Sequence, residues 1–115
     1  MPQDISTNLN IKVKKRNNQT VAFNKIRVKK AIGNAFKEHL DLPREVELPI
    51  AAGRDVERIT HAVFSVLKER TKEKDELTVE EIQDEVIRQL YENGFKEVAQ
   101  LYANYRKAHA ARRAL

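Results

Sequence analysis

The chain has no cysteine and no tryptophan, only three glycines and three prolines, and 6% aromatic residues in 115 positions. Without cysteine there is no disulfide framework, no thiol nucleophile and no thiolate zinc site, and a cytoplasmic setting is expected. The glycines, Gly33, Gly53 and Gly94, stand apart from one another, so no glycine-rich loop cradles a phosphate, and any nucleotide must be held by side chains. No apolar run exceeds three residues, which leaves nothing to cross a membrane as a helix or to form a signal-peptide core. The motifs G-x-S-x-G and H-E-x-x-H are missing, Ser6 and Ser65 are the only serines, and His39, His61 and His109 fall at unrelated spacings. The chain by itself is therefore expected to be non-catalytic, with no protein-held metal.

What is abundant is charge. Twenty-two Lys and Arg against 17 Asp and Glu leave a formal +5. The distribution is uneven. Residues 11–30 hold eight bases (Lys12, Lys14, Lys15, Arg16, Lys25, Arg27, Lys29, Lys30) and no acid. Residues 73–85 hold seven acids against Lys74 alone, and Arg106, Lys107, Arg112 and Arg113 restore positive charge near the end. A charge run taken alone reads equally well as a solvated face. Two basic segments folded onto one spot would instead form an anion site, because phosphate binding needs converging cations.

Hydrophobic spacing sets the elements. Residues 1–8 are polar and unpatterned and read as a disordered tail. Leu9, Ile11 and Val13 alternate with polar residues, and Val21 and Phe23 resume the alternation after Asn17-Asn18, a pair that tolerates positive φ, so a β-hairpin is predicted. Asn24 can cap a helix over about 25–40, with Val28, Ala31, Ile32, Ala35, Phe36 and Leu40 on its apolar side. Its first turns are basic, which opposes the helix dipole unless an anion docks there. Pro43, Pro49 and Gly53 mark residues 41–54 as a loop. Asp55 is expected to cap a second helix over about 56–70, along Val56, Ile59, Val63, Val66 and Leu67. Thr78-Val79-Glu80-Glu81 spells a capping box for a third helix, around which the acids of 73–85 are expected to cap and solvate. Asn93-Gly94 ends it, and a fourth helix begins near 95 along Phe95, Val98, Ala99, Tyr102 and Tyr105. No Gly, Pro or cap stops that helix before Leu115, so it reads as continuing toward a following body. The fold class is α+β and mostly α: an N-terminal β-hairpin capping a four-helix bundle.

Two blocks of this sequence resemble a known family. Val13-Lys14-Lys15-Arg16 through Phe23-Asn24 to Arg27-Val28-Lys29-Lys30-Ala31-Ile32 is similar to the opening of the ATP-cone domain of ribonucleotide reductases. Leu77-Thr78-Val79-Glu80-Glu81-Ile82-Gln83-Asp84-Glu85-Val86, with Leu90, Gly94, Val98-Ala99, Tyr102 and Tyr105-Arg106-Lys107, resembles the closing half. The resemblance covers roughly residues 11–107 and puts an ATP-cone at 9–107, with 108–115 as a helical extension.

The resemblance implies an allosteric domain that binds ATP as activator and dATP as inhibitor, with Mg²⁺ carried by the triphosphate, and that acts through the association of reductase subunits. It implies phosphate contacts from Lys15, Arg16 and Lys107, a place beside the nucleotide for Asn24, and Arg27 where the family commonly has Lys. Lys30, Lys29 and Arg106 would be further phosphate partners if two nucleotides bind. Val13, Phe23, Val28 and Ile82 match apolar positions, and either flank the base or form the core beneath it. Departures are Asn17-Asn18 in place of a frequent Asp-Gly, Val21 where some members have an acid, and Gln83 where some have His. The alternatives are the ATP-cone of a DNA-binding repressor, whose zinc ribbon the absence of cysteine disfavours, and a basic nucleic-acid module supported only by the charge of residues 11–30.

Overall fold

The computed structural model describes residues 11–15 and 17–114, the last seven by backbone alone. The tail at 1–8, the start of the first strand at Leu9, Arg16 and the side chains of 108–115 lie outside the described residues.

Strands β1 (Lys12–Lys14) and β2 (Thr20–Ala22) form the expected hairpin, antiparallel with Val13 opposite Val21. Its turn closes from the Lys15 amide to the Gln19 carbonyl at 2.8 Å, with Asn18 at φ 68°. Asparagine takes this left-handed conformation at little cost, as the Asn pair predicted.

The hairpin is not alone. A third strand, β3 (Glu76–Thr78), pairs parallel with β1 and makes a sheet of order β2-β1-β3, which corrects the two-stranded reading. A short hairpin is marginal by itself in water, and a third strand with a buried face gives it support. Leu77, opposite Val13, is fully buried.

Four helices follow in sequence or flank β3. Helix α1 (Lys25–His39) starts where expected, with Asn24 Oδ1 accepting from the Arg27 amide at 3.1 Å. Helix α2 (Ile50–Arg70) starts six residues before the predicted position 56, so residues 50–54 are helical rather than looped. Pro49 precedes the first turn, where a missing N–H costs nothing because no intrahelical partner exists there. Asp55 is therefore not a cap; its carboxylate accepts from Arg58 at 3.0 Å within the helix. Helix α3 (Val79–Glu92) opens with the predicted capping box, and Gly94 at φ 88° turns the chain into helix α4 (Lys96–Ala114).

One apolar core joins all of these. Phe23 lies 5.7 Å from Phe64 between ring centroids, and Phe36 meets Phe95 edge-on at 5.1 Å. Phe23 and Phe95 stand just before α1 and α4, and α1 packs against both α2 and α4. The last acid of the 73–85 run departs from the solvated reading: Glu85 is buried on the stripe of Ile82, Val86 and Gln89. Its carboxylate accepts from Arg70 at 3.0 Å, from Arg88, and from Gln89 at 2.9 Å, and so ties α2 to α3. The hydrogen bond to Glu85 raises the pKa of the Arg88 guanidinium.

Thr78→Ala should destabilise the domain by about 1 kcal/mol, read from denaturant midpoints. The capping box is also pH-dependent. The Thr78 amide, donating to Glu81 at 2.8 Å, holds that carboxyl below its ordinary value, with Lys74 adding to the effect. A depressed folded pKa means stability that is present above the ordinary carboxylate value of 4.5 and lost as pH falls through the folded value. Glu81→Gln should therefore be less stable than the parent at neutral pH, with the gap closing in acid.

Candidate functional site

The alternation of β1 fixes which side chains share a face. Ile11, Val13 and Lys15 lie on the side of the sheet that packs on the core, and Lys12 and Lys14 lie on the other, exposed. On β2 and at its two flanks, Val21, Gln19 and Phe23 share the core side with them through the register. Phe23 and Val13 are buried, but Val21, directly opposite Val13, is 43% exposed. The core side of the sheet is thus sealed at the Ile11–Phe23 end and open at the Val21–Lys15 end.

Elements around that open corner follow from the pairing. The parallel register sets Thr78 beside Lys14, so α3 begins at the Lys15 end of the sheet. Two turns along α3, Asp84 pairs with Arg106, which brings the Arg106–Lys107 turn of α4 against α3. Ala31 and Asn34 of α1 line a small recess with Tyr102 and Tyr105 of α4, so the middle turns of α4 lie against α1. Burial pushes the Tyr102 hydroxyl up to about 12, with nearby Arg106 acting against this, and keeps it neutral as a packing residue.

Lys15 and the cap of α1 do not stand together. Lys15 is opposite Gln19, and Asn24 follows Gln19 by five residues of extended chain, a separation of roughly 16 Å. The register places Lys15 and Asn24 at opposite ends of the hairpin. An extended ligand lying along β2 would touch both.

Residues 11–111 match the family described as the ATP cone domain. The chain belongs to that family. Over 99 residues it is 36% identical to the ribonucleoside-diphosphate reductase subunit alpha of Chlamydia pneumoniae, an alignment covering 86% of this chain and 10% of that protein. Over 98 residues it is 36% identical to the same subunit of Chlamydia muridarum, covering 83% of this chain and 9% of that protein. The chain spans about a tenth of the length of these curated relatives.

In this ATP cone the candidate residues fall into three groups. Val13, Phe23 and Ile82 are core residues, and Val28 is half-buried against them. Lys15, Asn24, Arg27, Lys30 and Lys107 are exposed. Arg27 and Lys30, three residues apart, lie on one side of α1. Arg16 lies outside the described residues. Two suggested further phosphate partners are already engaged: Lys29 is ion-paired with Glu57 of α2, and Arg106 with Asp84.

One residue gains weight that sequence reading did not give it. The Gln83 side-chain oxygen is buried and finds no hydrogen-bond partner among the described residues. A buried acceptor without a donor is costly, so it marks a place where a ligand N–H or O–H fits. Its only signal in the sequence was its departure from the family pattern. Among the described residues, no three His, Asp or Glu side chains gather to hold a metal ion, and no helix is long and apolar enough to cross a membrane.

Proposed function

We propose that this ATP cone binds ATP and dATP along the open edge of its sheet and, as part of a ribonucleotide reductase subunit, regulates the enzyme by changing how its subunits associate. The observation that carries the reading is the unsealed corner where half-exposed Val21 and exposed Lys15 share a face with the core. Lys15, with Arg16 and Lys107, takes the triphosphate. The nucleoside extends along Val21 toward Asn24, whose side-chain oxygen is committed to the cap and whose amide N–H₂ remains to donate. Arg27 and Lys30 supply further positive charge from α1. Val13, Phe23, Val28 and Ile82 form the apolar floor, and Gln83 offers an acceptor beside it. Mg²⁺ arrives with the phosphates, which supply its oxygen ligands.

Titration calorimetry with ATP, dATP and GTP tests this reading. Adenine nucleotides should bind in the micromolar range or tighter, about −8 kcal/mol, and GTP should bind measurably less well. Equal affinity for all three would overturn the adenine-sensor reading. Sedimentation of the full reductase subunit should show different assemblies with ATP and with dATP.

A further inference from the structure

On the side of α1 turned away from Arg27 and Lys30, a groove of about 960 Å³ runs between α1 and α2. The two helices run antiparallel there: Lys25 lies 5.0 Å over the Phe64 ring, and one turn on, Lys29 pairs with Glu57. Its walls carry the two most exposed large aliphatic side chains among the described residues, Ile26 at 74% and Ile50 at 77%. Around them stand Lys25, Lys29, Arg54 and Arg58. Arg58 is held by Asp55 and Asn93, whereas Arg54 has no hydrogen bond or ion pair among the described residues.

We propose that this groove is a docking site for an acidic amphipathic helix of a partner protein, with aliphatic or aromatic anchors over Ile26 and Ile50 and carboxylates against Arg54 and Lys25. Two antiparallel helices present ridges into which a third helix packs, with anchors at i, i+3 or i+4. The occupant must be apolar at its centre, because a phosphate backbone leaves two exposed isoleucines in water and meets Glu57 with like charge. It must be acidic at its rim, because the groove is basic. A two-fold contact of this groove with itself is disfavoured, because it sets Lys25 and Arg54 against basic residues of the same groove. Of the groove residues only Lys29 was a suggested phosphate partner, and it is ion-paired with Glu57; Ile26, Ile50 and Arg54 have no part in the nucleotide assignment, so the two readings are tested separately.

Selecting a displayed library of random peptides against the domain, then measuring the selected peptides by fluorescence anisotropy, tests the proposal. Ile50→Asp and Arg54→Glu are the variants. Both side chains are exposed on α2, and an Asp in the first helical turn suits the helix dipole, so both should keep the parent's circular dichroism and its ATP binding. The expected result is peptides rich in Asp and Glu with apolar residues at helical spacing, losing about tenfold or more in affinity on either variant. Peptides without an acidic excess, or none that separates parent from Arg54→Glu, would overturn it. So would duplex DNA binding, or a concentration-dependent dimer seen by sedimentation, that either variant abolishes.

Discussion

Lys15→Ala is expected to weaken ATP binding by about 1.5–3 kcal/mol, a rise in Kd of roughly 10- to 100-fold, with the melting temperature unchanged. Lys15 is exposed, so its removal leaves no cavity, and its amide still closes the turn to Gln19. The effect is assigned to a charge-assisted hydrogen bond to a phosphate oxygen. The same substitution at Lys12, which lies on the opposite face of β1, should change affinity only through net charge, and that smaller loss should vanish as salt is raised. Equal losses at both positions would show that binding follows overall charge and not the face of the sheet. Parent-like affinity in Lys15→Ala would move the phosphates away from the hairpin end.

Glu85→Ala should cost about 3 kcal/mol, lowering the melting temperature by roughly 12–18 °C for a domain of this size. The Glu85 side chain is fully buried while Arg70 and Arg88 reach it from partly exposed positions. Its loss removes charge-assisted hydrogen bonds from both arginines and leaves the buried Gln89 amide without its acceptor. Because the arginine ends reach solvent, no charge is stranded in the core, which keeps the cost at the low end for a broken buried pair. Glu85→Gln should fall between alanine and the parent. A loss below about 1 kcal/mol in Glu85→Ala would class the cluster with solvent-screened surface pairs.

Much of the fold was readable from local chemistry. The Thr78–Glu81 box, the Asn24 cap and the Gly94 stop all appear where spacing put them, because each concerns hydrogen bonds or dihedrals within a few residues. Three features were not readable. Strand β3 is three residues with a single buried side chain, too short for any alternation to register, and its partner β1 lies some sixty residues earlier. The early start of α2 was hidden by Pro49 and Gly53, which punctuate loops and helix first turns alike. Glu85 sits in a run of acids, and only the packing of α2 against α3 distinguishes it from its solvated neighbours.

The candidate site divides the same way. The residues Lys15, Arg16, Asn24, Arg27 and Lys107 came from a motif, and all of them fall within residues 11–111 of the family match. Which of them meet was decided by register: the hairpin separates Lys15 from Asn24, and the ion pairs take up Lys29 and Arg106.

The sequence by itself determined the helices' apolar sides, the caps of α1 and α3, the absence of thiol and glycine-loop chemistry, and the family, because these rest on residue type and on spacing along the chain. The tertiary structure alone decided the third strand, the burial of Glu85, the open corner at Val21 and the bare groove of Ile26 and Ile50. These depend on which distant segments exclude water from one another, and solvent exclusion belongs to the packed surfaces and not to any one stretch of chain.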